Sequence, residues 1–280
     1  MMKRLMFTKM VQSCGLGEAA AHAKALGFDG VDLTVRDQGH VLPEDVRDGL
    51  PAAVEIFRRH GLDVPMISTG VTTGDEVYAK DLFDTAGRCG VKYVKVGYWW
   101  LGEEPYGKYL SRFEDAARGV SKIEALAKDA GVCAIIHTHS GACVSAVAAY
   151  VRQLLEGRNH DHIGAYVDVG HLVVEGGFNG WVVGMELLAP YLKVVAVKNF
   201  IWRSEQRDNY VNWFWKVAPL AAGIAPWPKA LEILKAIGFD GYISIHSEYL
   251  DANSWNVLSQ EECLAQTAED LRYLDTIGFH

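Results

Sequence analysis

The hydrophobic positions of this chain come in a repeating pair: an amphipathic stretch with helical spacing that closes on glycine, then a short β-branched run. Ala-Lys-Ala-Leu-Gly-Phe-Asp-Gly at 23–30 leads into Val31, Asp32, Leu33, Thr34 and Val35, and Leu-Lys-Ala-Ile-Gly-Phe-Asp-Gly at 234–241 leads into Tyr242, Ile243, Ser244, Ile245 and His246. These are two copies of one helix-to-strand joint. Gly90 before Val91 and Gly131 before Val132 repeat it more loosely, glycine supplying the left-handed conformation that ends a helix before the chain turns into a strand. The pattern predicts strands near 3–8, 30–35, 63–68, 91–97, 132–137, 163–168, 192–198 and 241–246, with helices between them and after the last. Runs such as Val-Cys-Ala-Ile-Ile at 132–136 and Val-Val-Ala-Val at 194–197 are apolar throughout, as parallel strands covered on both faces are.

Eight such alternations without a Pro- or Ser-rich linker predict an α/β fold, a single-domain (β/α)8 TIM barrel over residues 1–280. A doubly wound sheet would want a phosphate-binding glycine turn after its first strand, and Ser13-Cys14-Gly15-Leu16-Gly17 is a poor version of one. The one long irregular stretch, about 200–226, follows the seventh strand, is rich in Trp and Arg, and reads as a long loop on the active face.

Composition narrows the partners. The formal charge of -8, from 35 acidic against 27 basic side chains, leaves no footprint for grasping nucleic acid. Five widely spread cysteines without a C-x-x-C pair indicate neither a disulfide framework nor a zinc ribbon, so a reducing cytoplasm is the expected compartment. Lys3 and Arg4 are followed by no apolar run of signal length, and no stretch of 18 uncharged apolar residues occurs, so neither export nor a membrane partner is expected.

In such a barrel catalytic groups come from the C-terminal ends of the strands. Strand five ends His137-Thr138-His139-Ser140-Gly141, strand six Asp168-Val169-Gly170-His171, strand seven Lys198-Asn199 and strand eight His246-Ser247-Glu248. Strands alternate faces, so His137 and His139 can point one way, as can His246 and Glu248, which aims two pairs at one mouth. Arg36 and His40 follow strand two, and Lys95, Tyr98, Trp99 and Trp100 close strand four. Indole faces beside hydroxyl-seeking Arg36, His40, Lys95 and Trp99 suit a small polyol, so a carbohydrate is the expected substrate. Arg36, Lys95 and Arg203 can hold one phosphate. Trp202, Trp213 and Trp215 form either a lid or a subunit contact. His160 and His162 resemble a metal cluster but fall before strand six, at the opposite end, and read as loop.

With these residues in view the chain resembles the xylose isomerase-like TIM-barrel superfamily, which contains sugar isomerases and epimerases, inosose dehydratases, hydroxypyruvate isomerase and endonuclease IV. The carriers are Gly27-Phe28-Asp29-Gly30-Val31-Asp32-Leu33, His137-Thr138-His139-Ser140-Gly141, Asp168-Val169-Gly170-His171, Val197-Lys198-Asn199 and Ile243-Ser244-Ile245-His246-Ser247-Glu248; the segment 32–44 resembles a bacterial subgroup of sugar phosphate isomerases/epimerases. The resemblance implies a divalent ion held by Glu, Asp, His and Glu after strands five to eight, the two Glu also serving as acid and base. This sequence keeps the Asp as Asp168 with its companion His171, but the other positions fall on His137, Ala196 and His246, with Glu248 two residues further on. Two readings follow. Either His137, Asp168 and His246 hold Mn, Fe, Zn or Mg, or the ion is gone and Lys198 with the histidines supplies the positive charge.

The chemistry implied is proton abstraction next to a carbonyl, with a base and a cation facing the oxygen where charge develops. Glu248 or His246 is the expected base, His139 or His171 the opposing acid, and Lys198 with any metal the electrophile. Isomerisation, epimerisation and elimination share that first step; a keto-sugar dehydratase or lyase is therefore the second expectation, and a non-catalytic sugar-binding or accessory subunit the third. An endonuclease IV-like hydrolase would need several metal ions and a basic DNA face, which the acidic composition opposes. The exposed tryptophans and the family's habit point to a homo-oligomer.

Overall fold

The computed structural model describes residues 2–103 and 106–279. In chain order it runs β1 (Lys3–Phe7), α1 (Leu16–Ala25), β2 (Gly30–Val35), α2 (Val46–Arg59), β3 (Asp63–Thr69), α3 (Ala79–Cys89), β4 (Tyr93–Lys95), α4 (Tyr109–Ala130), β5 (Cys133–His137), α5 (Ala148–Leu155), β6 (Ile163–Asp168), α6 (Val169–Leu188), β7 (Leu192–Val197), β8 (Asn199–Gln206), β9 (Val211–Ala218), α7 (Trp227–Ala236), β10 (Tyr242–Ile245) and α8 (Gln260–Thr276). Strands β1 to β7 pair in parallel with their sequence neighbours, and β10 closes the barrel between β7 and β1. The (β/α)8 expectation holds, and the glycine joints are as read: Gly27, Gly90, Gly131 and Gly238 all have φ between 67° and 81°.

Two boundaries differ. The fourth strand is only Tyr93–Lys95, because Gly97 leaves the ladder to donate to the Val71 carbonyl. The stretch read as a loop over 200–226 holds an antiparallel hairpin, β8 with β9, whose turn is closed by Arg207 N–H donating to Tyr210 O. Register pairs Trp202 with Trp215 and Ser204 with Trp213, so all three indoles share one face. Trp215 packs on Phe200, with ring centroids 4.8 Å apart, while Trp202 and Trp213 are exposed.

The barrel interior has two levels. Leu5, Met66, Cys133, Ile135, Val194 and Ala196 fill the N-terminal half with apolar atoms. Above them Asp32 accepts from Ser68 Oγ at 2.8 Å and Ser244 Oγ at 3.0 Å, with the Tyr166 hydroxyl at 3.4 Å. Asp32 is fully buried, and burial outweighs these donors, pushing its carboxyl up to about 6. That polar tier is the floor of the mouth. Outside, α6 is the one described helix long and apolar enough to cross a membrane, and it buries Leu172, Val173, Trp181, Met185 and Leu188 on the protein.

Candidate active site

The strand ends meet at the C-terminal mouth around a cavity of about 150 Å³ lined by Phe7, Lys9, Arg36, Ser68, Lys95, Tyr98, His137, His139, Tyr166, Lys198, His246 and Glu248. Register explains the gathering. Tyr166 lies beside His137 across the β5–β6 ladder, their rings stacked at 4.3 Å, and Asp168 stands two residues above Tyr166 on the same face.

Lys198 is the hub. Its Nζ lies 3.2 Å from Asp168 Oδ2 and 3.1 Å from Glu248 Oε2, with the lysine side chain 4% exposed. Burial alone would lower its pKa, but Asp168 and Glu248 outweigh burial and raise it, so it stays an ammonium. Glu248 Oε1 also meets Lys9 Nζ at 2.5 Å. Burial pushes this carboxyl up, and Lys198 and Lys9 overcome that to hold it well below the usual carboxylate range. Asp168 is committed elsewhere: its Oδ1 accepts the His171 N–H at 3.0 Å as the cap of α6. Glu248 is thus the one carboxylate lining the cavity among the described residues.

The histidines are neutral. Burial first, then Lys198, lowers His137, His171 and His246 well below the ordinary imidazole range, and the same causes bring His139 to about 4. Their rings are held in place by hydroxyl neighbours: His137 Nδ1 meets Tyr98 OH at 2.7 Å, His246 Nε2 meets Tyr166 OH at 2.6 Å, and His171 Nδ1 meets Ser140 Oγ at 2.7 Å. His139 packs tilted against His171 with centroids 4.1 Å apart, its Nδ1 2.8 Å from the Ser140 carbonyl. His171 lies one layer behind the cavity lining.

Of the residues expected to hold substrate, Arg36 and Lys95 reach the cavity, whereas His40 and Trp99 do not line it. His40 turns its Nδ1 to Thr34 Oγ1 at 3.1 Å. Trp99 is 5% exposed and donates Nε1–H to the Thr72 carbonyl at 3.1 Å, a packing role; Trp100, 47% exposed and 5.5 Å from the His139 ring, takes the rim instead. His160 meets the Tyr191 ring edge-on in the turn before β6, away from the mouth. Sequence reading missed Lys9, Tyr166 and the role of Asp32; the two-residue spacing of Tyr166 below Asp168 and of Ser244 below His246 was the available signal.

The residues do not fit a divalent ion at the position the family uses. His137 Nε2 and Asp168 Oδ2 are 3.4 Å apart, and His137 Nε2, His171 Nε2 and His246 Nδ1 are buried without a hydrogen-bond partner. Yet no three such donors of the mouth lie within 4.8 Å of one another; among the described residues only Cys14, Glu18 and His22, on and beside α1, do. The space between the two carboxylates is filled by the Lys198 ammonium.

A family model described as xylose isomerase-like TIM barrel matches residues 20–277, and the chain belongs to that family. Among solved structures it is similar to 3-keto-D-glucoside 4-epimerase from E. coli, at TM-score 0.70 and 13% identity, covering 99% of this chain and 100% of that one. It is similar to the probable 3-DHS dehydratase of petrobactin synthesis from Bacillus anthracis, at TM-score 0.66 and 13% identity, covering 97% and 99%. A xylose isomerase-like TIM barrel protein from Mycobacterium smegmatis, solved in complex with magnesium, aligns at TM-score 0.67 and 15% identity, covering 99% and 97%. No curated protein matches by sequence.

Proposed function

We propose that this chain is a sugar isomerase or epimerase that removes the proton next to the keto group of a small carbohydrate. The observation that carries the reading is Glu248, the one carboxylate lining the cavity among the described residues, held in place by Lys198 and Lys9 beside Arg36 and Lys95. A carbohydrate enters with its C–H face toward Tyr98 and the Trp100 rim and its oxygens toward the cations. Glu248 takes the α-proton, and charge developing on the carbonyl oxygen is met by the fixed ammonium of Lys198 with Arg36, groups that need no reorganisation as the reaction proceeds. The neutral imidazoles of His139 and His246 orient hydroxyls. No step is routed through a metal ion, because the ammonium stands in its place.

A second reading, elimination of a β-substituent, is favoured by one observation: among the described residues no second carboxylate lines the cavity to return the proton, while the Tyr98 phenol and the Lys95 amine are placed to protonate a leaving oxygen. The dehydratase among the similar structures fits this exit and the keto-glucoside epimerase fits the first. Both begin with the same proton transfer. Incubating the protein with 3-keto-D-glucosides and D-psicose in D2O and following loss of the α-hydrogen signal by proton NMR tests that step before any product is known. Exchange dependent on Glu248 supports the proposal, and absence of exchange across the panel removes it.

A further inference from the structure

Glu248 poses a difficulty for that chemistry. A carboxylate held so firmly anionic is a weak base, and it removes a carbon-bound proton at a useful rate only if that proton is strongly acidified. Hydrogen bonding from Lys198 supplies part of the acidification, but Lys198 is already shared between Asp168 and Glu248.

Of the three lysines lining the cavity, Lys9 and Lys198 are paired with carboxylates, and Lys95 has no such duty. It ends β4, level with Ser68 across the ladder, and its side chain is 3% exposed. Its Nζ sits 3.7 Å above the Tyr98 ring, and among the described residues it has neither an ion-pair partner nor a hydrogen-bond acceptor. Arg36 and Lys198 lie near enough to repel a second positive charge, and the one nearby carboxyl that would favour it, Asp32, is engaged by Ser68 and Ser244. A buried amine beside other cations, open to the cavity and free of hydrogen bonds, is the arrangement that makes a lysine nucleophilic toward carbonyl compounds.

We infer that Lys95 is a covalent catalytic amine of this site: its Nζ condenses with the keto group of the bound sugar to give an iminium. This inference rests on the keto-sugar reading above and deepens it. The step balances without oxidant or metal. The amine lone pair forms the C–N bond, the carbonyl C–O bond breaks, and the oxygen leaves as water with two protons, so that ketone plus protonated lysine gives iminium plus water. The positive iminium acidifies the neighbouring C–H, Glu248 takes that proton, and the electron pair passes into an enamine. Returning the proton on the other face, or expelling a β-oxygen protonated by the Tyr98 phenol, gives epimer or elimination product. Water then hydrolyses the iminium and frees Lys95.

Burial first, then Arg36, brings the Lys95 amine to about 7, so about half is unprotonated at neutral pH, against fewer than about one in a thousand of ordinary lysines. The full-length protein, incubated with 1,3-dihydroxyacetone and sodium cyanoborohydride, which reduces an iminium and spares a ketone, is digested and mapped by mass spectrometry. In parallel, α-hydrogen exchange of dihydroxyacetone in D2O is read by NMR. The expected result is a reduced adduct on Lys95, on the order of 100-fold or more above any surface lysine, and lost in Lys95→Arg, which keeps the cation and lacks a free amine. An adduct no greater than on surface lysines, or one favouring Lys198 or Lys9, overturns the assignment. Exchange without an adduct overturns it and leaves the proton-transfer reading standing; neither exchange nor adduct overturns both. If Lys95→Arg fails to fold, the position of the adduct in the unmodified sequence decides.

Discussion

The two ends of this barrel carry the same kinds of residue and differ in what surrounds them. At the N-terminal end a cleft of about 270 Å³, larger than the mouth cavity, is lined by Lys3, Arg58, Asp63, Lys92 and Tyr242. Its ion pair, Lys3 with Asp63, spans 3.8 Å with the side chains 54% and 69% exposed. At the C-terminal end Lys198 and Asp168, 4% and 0% exposed, stand 3.2 Å apart. Water screens the first pair and leaves it worth little, whereas the second is held where field strength and proton affinity are set by neighbours. Between these two hollows the larger lies away from the chemistry, and burial of paired charge marks the end that carries it.

The contrast predicts its largest effect at Lys198. Lys198→Met leaves Asp168 and Glu248 facing each other without their shared cation, and it is expected to cost about 3–5 kcal/mol in urea unfolding. Lys3→Met at the other end is expected to stay within about 0.5 kcal/mol. A Lys198→Met variant as stable as the parent would show that the two ends do not differ as described. Next comes Glu248→Gln, which keeps shape and removes the cavity's carboxylate: α-hydrogen exchange is expected to fall about 10²- to 10⁴-fold with the fold intact by circular dichroism. An exchange rate within a few-fold of the parent would move the base to His246.

The N-terminal end and the outer layers were legible because period and punctuation state them: apolar runs for strands, glycine for helix ends. The hairpin was not, since Ile201, Trp202 and Arg203 open a stretch that reads as a long loop after the seventh strand, and only cross-strand pairing with Val211–Ala218 reveals it. At the mouth the residues at strand ends were readable one by one, Lys198, Glu248 and the four histidines among them. Their partners were not, because contacts such as Lys198 between Asp168 and Glu248, or Tyr166 beneath His246, join residues 30 to 80 positions apart. Trp99 and Trp100 show the same limit at shorter range: a one-residue step decides which indole is packed and which meets the cavity rim.

A third, smaller effect concerns the floor of the mouth and is read through pH. The folded-state value of Asp32, about 6, lies above its ordinary 3.8, so the folded protein binds the proton more tightly than the unfolded chain. Stability from this group is therefore present below pH 3.8 and lost as pH rises through about 6, a change of about 3 kcal/mol at most. Asp32→Asn is expected to remove that slope. Asp270, also raised to about 6 by burial, is present in both proteins and cancels in the difference. Urea unfolding of the pair at pH 4, 5, 6 and 7 measures it, and a difference that stays flat across the range would mean Asp32 is already ionised and solvated, like the carboxyls at the other end.

The smallest effect belongs to the rim, where the mouth meets solvent and the two ends should become alike. Trp100 touches Tyr98 and His139 with centroids 5.5 Å away in each case, yet nearly half of it is in water. Removing it exposes little core and leaves the Lys198 cluster untouched, so stability is expected to change by less than about 1 kcal/mol. What it offers a sugar is an apolar face, and such a contact is worth about 0.5–1.5 kcal/mol. Trp100→Ala should then raise KM for whichever keto-sugar exchanges its α-hydrogen by about 2- to 10-fold, with kcat nearly unchanged, because a contact equally strong before and during proton transfer lowers KM alone. A fall in kcat with KM unchanged would place Trp100 among the groups that act on the reacting carbon, through its contact with Tyr98, and would extend the buried, field-controlled region out to the rim.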